Sequence, residues 1–441
     1  MNKKTLLTLL FFMACLLPGG SLLPGVGLLP GGGLFAQELE SVRPEQEDFE
    51  SGRLEKLDRM LESFTGEDHR VAGLVALVAR NGKIVYHTAK GYRDIEADDP
   101  MAKDDIFRIA SQSKTITAIG VMMLYEEGKF LLDDPISKYI PEFRNPRVLE
   151  TFNEADSSYT TVPAKKEPTI RQFLTHTSGL SYAVIGTKEA RAIYAKAGVR
   201  IGFEPLPYKL ADKMKILAGL PLMNEPGTVY SYSLSLDMLG YLIEVVSGKP
   251  LNEFFRERLF KPLGMDDTYF YIPEVKQSRL ASVYGLDDKW KTVRRKNDPA
   301  LDHSYPLAEN GTYYSGGAGL CSTVRDYAVF LQMLLNGGEY NGHRVLSPHT
   351  IRLITSNQIG QLGMWGSPNK MGLGFEITTE KGAIQGPLAE GSFSFGGFWG
   401  TWGWADPAND LVMVLMTQHS TFFSIEMMNK FRVMVYGALT E

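Results

Sequence analysis

Cysteine is scarce in this chain of 441 residues, which contains only Cys15 and Cys321. Two thiols cannot build a disulfide scaffold or a cysteine-rich metal site. The seven histidines show neither a His-x-x-x-His nor a His-Glu spacing. We therefore expect no metal site and no cofactor.

A surplus of positive charge is also absent. The chain has 46 Lys+Arg against 51 Asp+Glu, which gives a formal net charge of -5. Nucleic-acid-binding proteins are usually basic, so no nucleic-acid partner is expected. There is no Gly-x-Ser-x-Gly elbow, which argues against an α/β-hydrolase, and the glycine-rich residues 316–319 lack the following Lys-Ser/Thr of a phosphate loop.

The first 36 residues are typical of a secretory signal. Two lysines precede an uncharged apolar run at residues 6–17, which is too short and too soon interrupted for a transmembrane helix. A Leu-Leu-Pro-Gly motif then recurs every six residues. We expect cleavage after Ala36 and export to the periplasm or the medium. The alternative is a lipoprotein anchored at Cys15, and we expect membrane contact only in that case.

Strand signals lie at the two ends of the remaining chain. Residues 37–68 predict a polar tether and a first helix, and two β-rich runs joined by Asn81-Gly82 predict an antiparallel hairpin. Residues 131–299 predict an inserted, mainly helical lobe. Residues 69–130 and 300–441 supply the rest, with four further strands from Leu373 onwards and a closing helix. The fold class is α/β of the α+β type, with one antiparallel sheet from both chain ends flanked by helices.

Ser111 and Lys114 form a Ser-x-x-Lys at the start of a predicted helix over residues 111–127. At this spacing both side chains share one helix face, about 5–6 Å apart at Cβ. A serine hydroxyl is a weak nucleophile until a base takes its proton, and an enclosed lysine with a lowered pKa can do this. A Ser-x-x-Lys tetrapeptide is common by chance. The residues around it must therefore indicate whether it has a catalytic role.

That neighbourhood, residues 106–117, resembles the nucleophile segment of the serine β-lactamase and penicillin-binding protein superfamily. Further segments resemble family blocks in the same order: His176-Thr177-Ser178-Gly179-Leu180, Pro226-Gly227-Thr228, Tyr232-Ser233, Asp237-Met238-Leu239-Gly240, Ser315-Gly316-Gly317-Ala318-Gly319-Leu320 and Leu346-Ser347-Pro348. The resemblance covers roughly residues 70–420. It is to the class C β-lactamase branch, and within it to the family VIII carboxylesterases, and it implies a β-lactamase/transpeptidase-like fold.

The resemblance implies catalytic roles for three side chains. Ser111 would be the acylated nucleophile, Lys114 its basic partner, and Tyr232 the residue that shares the base role and protonates the leaving group. The backbone N–H groups of Ser111 and Phe398 would form the oxyanion hole. Which of Lys114 and Tyr232 is the base stays open, because the two would titrate as a coupled pair. Without the resemblance, Tyr232 would be interpreted as a core aromatic, and we interpret His176 as structural.

Two departures from the lactamase pattern concern substrate binding. Leu234 stands where lactamases have an asparagine that donates to an amide carbonyl, and a leucine cannot donate. Phe395-Gly396-Gly397 stands where they have Lys-Thr-Gly, so a cation for a substrate carboxylate is missing. The two glycines would let a substrate approach the strand edge, and the alternative is a bulged strand without a ligand role. Three tryptophans nearby would either line an acyl pocket or pack in strands: Trp399, Trp402 and Trp404.

The expected function is that of an exported serine hydrolase acting on a small-molecule ester or amide. Esters with short acyl groups are the favoured substrates, cleaved through an acyl-enzyme on Ser111. The alternatives on the same fold are a β-lactamase, a D-amino-acid peptidase or an acyltransferase. A further alternative is a catalytically idle binding protein. The sequence does not indicate an oligomeric state.

Overall fold

The computed structural model describes residues 38–66, 70–199, 208–298 and 301–441. The predicted signal segment and Cys15 lie outside these residues. The α-helices in the described part are α1 Ser51–Thr65, α2 Ser113–Glu126, α3 Ile170–Leu174, α4 Lys188–Lys196, α5 Leu210–Ala218, α6 Ser235–Ser247, α7 Leu251–Phe255, α8 Lys261–Leu263, α9 Val324–Leu335, α10 Pro348–Ile354, α11 Glu380–Ile384 and α12 Phe422–Tyr436.

The strands are mostly short, and the long ones lie near the chain ends. They are β1 Glu40–Ser41, β2 Gly73–Arg80, β3 Lys83–Asp94, β4 Asp99–Pro100, β5 Phe107–Arg108, β6 Arg147–Phe152, β7 Tyr159–Pro163, β8 Tyr284–Leu286, β9 Thr292–Arg294, β10 Cys321–Ser322, β11 Glu339–Tyr340, β12 His343–Arg344, β13 Lys370–Met371, β14 Glu376–Ile377, β15 Phe393–Gly397, β16 Thr401–Asp406 and β17 Leu411–Thr417.

A nine-stranded sheet in the order β1-β3-β2-β17-β16-β15-β14-β13, with β4 paired to β3, forms the centre of the fold. Strands from the two chain ends meet where β2 pairs antiparallel with β17. This confirms the predicted sheet made from both ends of the chain. The exception to its antiparallel order is β1, which pairs with β3 in parallel.

Two turns show where the strand predictions hold and where they fail. Asn81 and Gly82 have φ of 50° and 73° and join β2 to β3, as expected of a type I′ hairpin turn. The single strand predicted over residues 373–378 is wrong in extent. Gly374, at φ 85°, lies in a turn between β13 and β14 that is closed by a bond from Gly372 N to Phe375 O.

The tether predicted at residues 37–68 is also wrong for the described residues before α1. Leu39 is buried, and its backbone N–H donates to the Tyr340 hydroxyl at 2.9 Å. Ser41 pairs with Ile84 in the sheet. Phe49 is also buried. The apolar residues of this polar segment thus attach it to the protein, whereas its overall composition suggested a loose chain.

The main hydrophobic cluster connects the sheet with the helices inserted between its strands. It contains residues from β2, α2, α3 and α6, such as Val75, Ile116, Phe173 and Leu239. Residues 36–441 group as one unit by their backbone contacts. The division into a sheet part and a helical lobe therefore stays a prediction, with a core common to both. Within the described residues, no helix has the length and apolar character needed to cross a membrane.

Candidate active site

Ser111 lies in a single 3₁₀ turn, Ala110–Gln112, that joins β5 to α2. Ala110 has a φ of 44°, a left-handed conformation that costs a non-glycine residue on the order of 1 kcal/mol. Ile109, directly before the turn, donates its backbone N–H to Leu320 O at 3.0 Å, and this bond fixes the start of the turn. The helix proper begins at Ser113, two residues later than predicted. The strained turn places the half-buried Ser111 side chain at the entrance of α2.

The three predicted catalytic side chains lie together at this turn. The Tyr232 hydroxyl donates to Ser111 Oγ at 2.6 Å, and Lys114 Nζ donates to the same oxygen at 3.2 Å. Lys114 Nζ also donates to the Gly317 carbonyl at 2.6 Å. This arrangement brings a nucleophile, a basic group and a proton donor within hydrogen-bond distance, as nucleophilic catalysis requires.

Burial shifts the pKa values of the lysine and the tyrosine in different directions. Lys114 is fully buried, which lowers its pKa to about 7, although the nearby Asp237 carboxyl raises it. Burial raises the pKa of Tyr232, and its hydrogen bond with Ser111 opposes that shift. Near neutral pH the phenol therefore keeps its proton while a substantial fraction of Lys114 is uncharged. This favours the lysine over the tyrosine as the base.

Asp237 holds in place the backbone segment that accepts a hydrogen bond from Lys114. The sequence did not indicate this role. Its Oδ1 accepts bonds from the Ser315 hydroxyl and from Gly317 N, the latter at 3.2 Å. The Gly317 carbonyl then faces Lys114. A Cβ at Gly317 would lie 2.2 Å from Asp237 Oδ2, so only glycine fits there. These residues belong to the segments that carried the family resemblance, but no chemical role had been drawn from them.

Tyr182 and His176 both pack against Tyr232. The Tyr182 ring stacks on the Tyr232 ring, with 5.5 Å between centroids, and its hydroxyl lies 3.4 Å from Lys114 Nζ. His176 is fully buried, and its Nδ1 accepts a bond from Ser233 N at 3.2 Å. Burial keeps the pKa of His176 well below its usual value, so the ring is neutral. These contacts agree with a structural role for His176.

Further aromatic rings pack around Tyr232, whose hydroxyl contacts Ser111. Phe395 stacks against Tyr232 at 6.4 Å between centroids. Trp365, which the sequence analysis did not select, meets Tyr232 edge to face at 5.1 Å and Tyr230 at 5.4 Å. Trp365 and Gly366 have φ of 49° and 74° and form the tip of a tight turn, so the indole remains 69% exposed. A side chain at a turn tip carries no hydrophobic periodicity that would have identified it.

The glycines of β15 serve close packing. A Cβ at Gly397 would lie 2.3 Å from Ile109 O, and one at Gly396 would lie 2.6 Å from the Trp402 ring. The register between β15 and β16 runs without a shift, so the alternative of a bulged strand is wrong. Gly397 thus lets the strand lie directly against the turn Ala110–Gln112, which we call the nucleophile turn after the role predicted for Ser111. Direct substrate contact by either glycine remains a prediction.

The other predicted residues lie in different surroundings. Leu234 is fully buried in the main hydrophobic cluster just before α6, so it presents no exposed surface to a ligand, and its substrate-binding role gains no support from its position. Phe398 is 40% exposed and directly follows β15. Its place in the oxyanion hole stays a prediction. Trp404 of β16 packs with Phe431 of α12 in a second hydrophobic cluster, which lies between the sheet and helices α1 and α12. Trp402 stacks on Trp404, so these two tryptophans serve packing. No group of three or more metal-ligating side chains occurs within the described ranges.

Several known proteins are similar to this chain in sequence or in structure. Protein Rv1367c of Mycobacterium tuberculosis is 33% identical over 370 residues, covering 81% of this chain and 88% of the relative. Esterase EstB of Burkholderia gladioli is 32% identical over 378 residues, covering 82% and 89%. The solved structure of EstCE1, described as a hydrolase with promiscuous acyltransferase activity, superimposes with a TM-score of 0.76 at 28% identity, covering 88% of this chain and 99% of that one. Residues 54–432 match the Beta-lactamase family model. The chain therefore belongs to the Beta-lactamase family and is a serine hydrolase of the esterase-related kind.

Proposed function

We propose that this protein cleaves carboxylic esters through an acyl-enzyme on Ser111. The observation that carries the proposal is the convergence of the Tyr232 hydroxyl and Lys114 Nζ on Ser111 Oγ, at 2.6 and 3.2 Å, with the pKa of the buried lysine near 7. A base whose pKa lies close to the working pH is the one that general-base catalysis favours.

The first half of the reaction forms the acyl-enzyme. Uncharged Lys114 takes the proton of Ser111, and Oγ attacks the ester carbonyl carbon. The developing oxyanion accepts bonds from the backbone N–H groups of Ser111 and Phe398. The ester C–O bond then breaks, and Tyr232 donates its proton to the leaving alkoxide. The lysine ammonium then returns a proton to the Tyr232 phenolate.

The second half regenerates the enzyme. A water molecule takes the place of the leaving alcohol and loses a proton to Lys114 as it attacks the acyl carbon. The bond between that carbon and Ser111 Oγ breaks, and the proton returns to the serine oxygen. The acid leaves, and the starting protonation states are restored.

Ester substrates fit the site better than β-lactams or D-peptides. Phe395 offers a ring where lactamases offer a lysine, and Leu234 is buried where they offer an amide. Anchoring a substrate carboxylate normally takes a cation. The name of the relative EstB, an esterase, points the same way. We therefore propose uncharged esters with short acyl chains.

The test compares p-nitrophenyl butyrate with nitrocefin on the full chain and on Ser111→Ala. We expect Ser111-dependent ester cleavage to be much faster than nitrocefin turnover. The exposed Ser63→Ala on α1 is the matched control and should keep full activity. Faster turnover of nitrocefin, or a preference for acyl chains that bear a carboxylate, would overturn the substrate assignment. A reactive-serine probe that fails to label Ser111 would instead support an idle binding protein.

Acyl transfer to an alcohol is the second candidate, because EstCE1 combines hydrolase and acyltransferase activity. An alcohol would replace water in the second half of the reaction and yield a new ester. Adding increasing concentrations of a primary alcohol and quantifying the ester formed tests this. Transfer exceeding hydrolysis at low alcohol concentration would make acyl transfer the main function.

Export is also part of the proposal, and it rests on the first 36 residues of the sequence. Cell fractionation followed by sequencing of the mature N-terminus tests it. We expect a soluble exported protein that begins at Gln37. Recovery of a lipid-modified chain that begins at Cys15 would replace this with the lipoprotein alternative.

A further inference from the structure

Trp365 is an exposed aromatic residue that lies directly against the proposed proton donor. Its ring centroid is 5.1 Å from that of Tyr232, yet 69% of the residue is open to solvent. Tyr182, His176 and Phe395 also pack on Tyr232, but these three rings are buried or half-buried. Trp365 therefore offers the most accessible aromatic surface among these four neighbours to a substrate that arrives from solvent.

The turn that carries Trp365 is anchored at its base. Ser367 N donates to Met364 O at 2.8 Å across the turn, and Lys370 Nζ donates to Leu362 O at 2.7 Å. Met364 is buried in a small hydrophobic cluster. Trp365 has a left-handed backbone conformation, which is strained for a bulky residue. The surrounding contacts thus hold the indole beside the site although much of it is exposed.

The proposed mechanism determines which part of an ester lies near the indole. Ser111 Oγ attacks the carbonyl carbon, and the Tyr232 hydroxyl then gives its proton to the oxygen of the leaving alcohol. That oxygen must lie within hydrogen-bond distance of the Tyr232 hydroxyl, and the alcohol part of the ester extends from it. The acyl chain leaves the carbonyl carbon by the other bond. A ring packed on Tyr232 therefore adjoins the alcohol part of the ester.

The side chains around the indole favour an apolar alcohol. The small hydrophobic cluster and the residues packed against it are all aromatic or aliphatic: Tyr230, Ile359, Met364, Met371, Leu362, Tyr232 and Phe395. Aromatic rings prefer edge-to-face or offset contacts with one another, and such contacts add to the effect of apolar burial. A ring in the alcohol part would gain these contacts, whereas a methyl group offers little surface for them.

We propose that Trp365 binds the alcohol part of the ester and selects alcohols that carry an apolar ring. The inference rests on the proposed ester cleavage at Ser111 and adds to it the class of alcohol. Trp365 acts here as a substrate-binding residue and takes no part in proton transfer. The preference for acyl chain length is therefore independent of Trp365.

The test compares benzyl butyrate with methyl butyrate, which share an acyl group and have unactivated alcohols. Trp365→Asn removes the indole and introduces a residue that tolerates a left-handed backbone. We expect it to lower the ratio of kcat/KM for benzyl butyrate to that for methyl butyrate by about tenfold or more. Trp365→Phe keeps a ring and should restore most of the ratio. Across methyl esters of increasing acyl length, both variants should keep the wild-type preference.

Acyl transfer provides a second measurement of the same contact. An alcohol that accepts the butyryl group takes the place of the leaving alcohol, so benzyl alcohol and methanol can compete for one acyl-enzyme made from p-nitrophenyl butyrate. A substitution cannot change the equilibrium constant between ester and alcohol. Trp365→Asn should therefore lower the ratio of benzyl ester to methyl ester formed by the same factor as the kcat/KM ratio.

Trp290→Asn is the matched control and should leave both ratios unchanged. Trp290 also lies in a turn with a left-handed backbone, at φ 62°, and is 66% exposed. Ratios that stay at the wild-type value in Trp365→Asn, or a loss that follows acyl length instead, would overturn the inference. Ser111-dependent cleavage of methyl butyrate by the wild-type chain is measured first. Its absence would overturn the proposed function itself, so the two failures are distinguishable.

Discussion

At the scale of the residue, the protonation of Lys114 controls the chemistry of the proposed mechanism. The lysine must be uncharged to accept the serine proton, so ester cleavage should rise as the pH increases through its pKa of about 7. The Asp237 carboxyl favours the charged lysine and raises that pKa. Removing its charge should therefore lower the pKa of Lys114 and make the base available at more acidic pH.

The first prediction is that Asp237→Asn moves the acidic limb of the kcat/KM profile to lower pH. An asparagine still offers an oxygen to Ser315 and Gly317, so the loop that faces Lys114 is retained. The measurement is the pH profile on a neutral ester, with Glu426→Gln on the surface of α12 as the control that leaves the limb in place. An acidic limb that remains at the wild-type pH, or moves to higher pH, in Asp237→Asn would refute the assignment of Lys114 as the base.

The residues of the site differ in how far the sequence could reveal them. Ser111, Lys114 and Tyr232 were found because short motifs mark them, and the structure brings them together. Trp365 was not found, because its importance comes from a turn that positions it over a tyrosine far away in the chain. Leu234 was selected by its motif position, but helix packing buries it.

At the scale of the element, β15 positions the nucleophile turn. It packs so closely that a single methyl group at Gly397 would lie 2.3 Å from Ile109 O and 2.3 Å from Thr401 Oγ1. Both neighbours are fixed, since Ile109 directly precedes the turn and Thr401 lies in the adjacent strand β16. A side chain here must therefore push the strand away from Ser111.

The second prediction is that Gly397→Ala lowers kcat on an ester by about a hundredfold or more, the range seen when one oxyanion donor is lost. Circular dichroism should show that the fold is kept. Gly386→Ala is the matched control, since a Cβ there has no atom within 4 Å, and it should retain activity. Full activity in Gly397→Ala would mean that the close approach of β15 does not position the catalytic groups.

The elements themselves were predictable where local signals are strong. The Asn81-Gly82 turn, the closing helix and the β16 and β17 strands lie close to where the sequence indicated them. The strand predicted at residues 373–378 failed because its apolar pattern did not reveal the turn at Gly374. The segment before α1 failed because two apolar residues, Leu39 and Phe49, attach it despite a highly charged composition.

At the scale of the whole molecule, the two ends of the described chain stabilise each other. Glu50 N donates to Ala438 O, and Thr440 N donates to Asp48 O, both at 2.9 Å. Ala438 is fully buried. Because the sheet also joins both chain ends, we expect residues 36–441 to unfold as one cooperative unit.

The third prediction is that a chain ending at Tyr436 loses about 2–4 kcal/mol of unfolding free energy, mainly from the two backbone bonds between the chain ends and the apolar contacts of Ala438 and Leu439. Urea denaturation followed by fluorescence measures it. A chain that lacks only Glu441, which is exposed, is the control and should keep its stability. Equal urea midpoints for the two truncated chains would show that contact between the chain ends contributes little to the free energy of unfolding.

The fold was predictable at this scale because the strand signals separate to the two ends of the sequence, and one sheet made from both ends is then the simplest arrangement. The division into lobes was less accessible, because α2 and α6 belong to one hydrophobic cluster with the sheet. Which side chains occupy such a shared core depends on contacts between distant segments, and periodicity within one segment does not report them.

The central claim is that Ser111 carries the acyl group, and the most direct measurement is rapid-quench mass spectrometry of the intact chain mixed with p-nitrophenyl butyrate. The account predicts the added mass of one butyryl group, mapped by digestion to the peptide that contains Ser111 and absent in Ser111→Ala. A butyryl group on another residue, or ester turnover by Ser111→Ala at the wild-type rate, would contradict it.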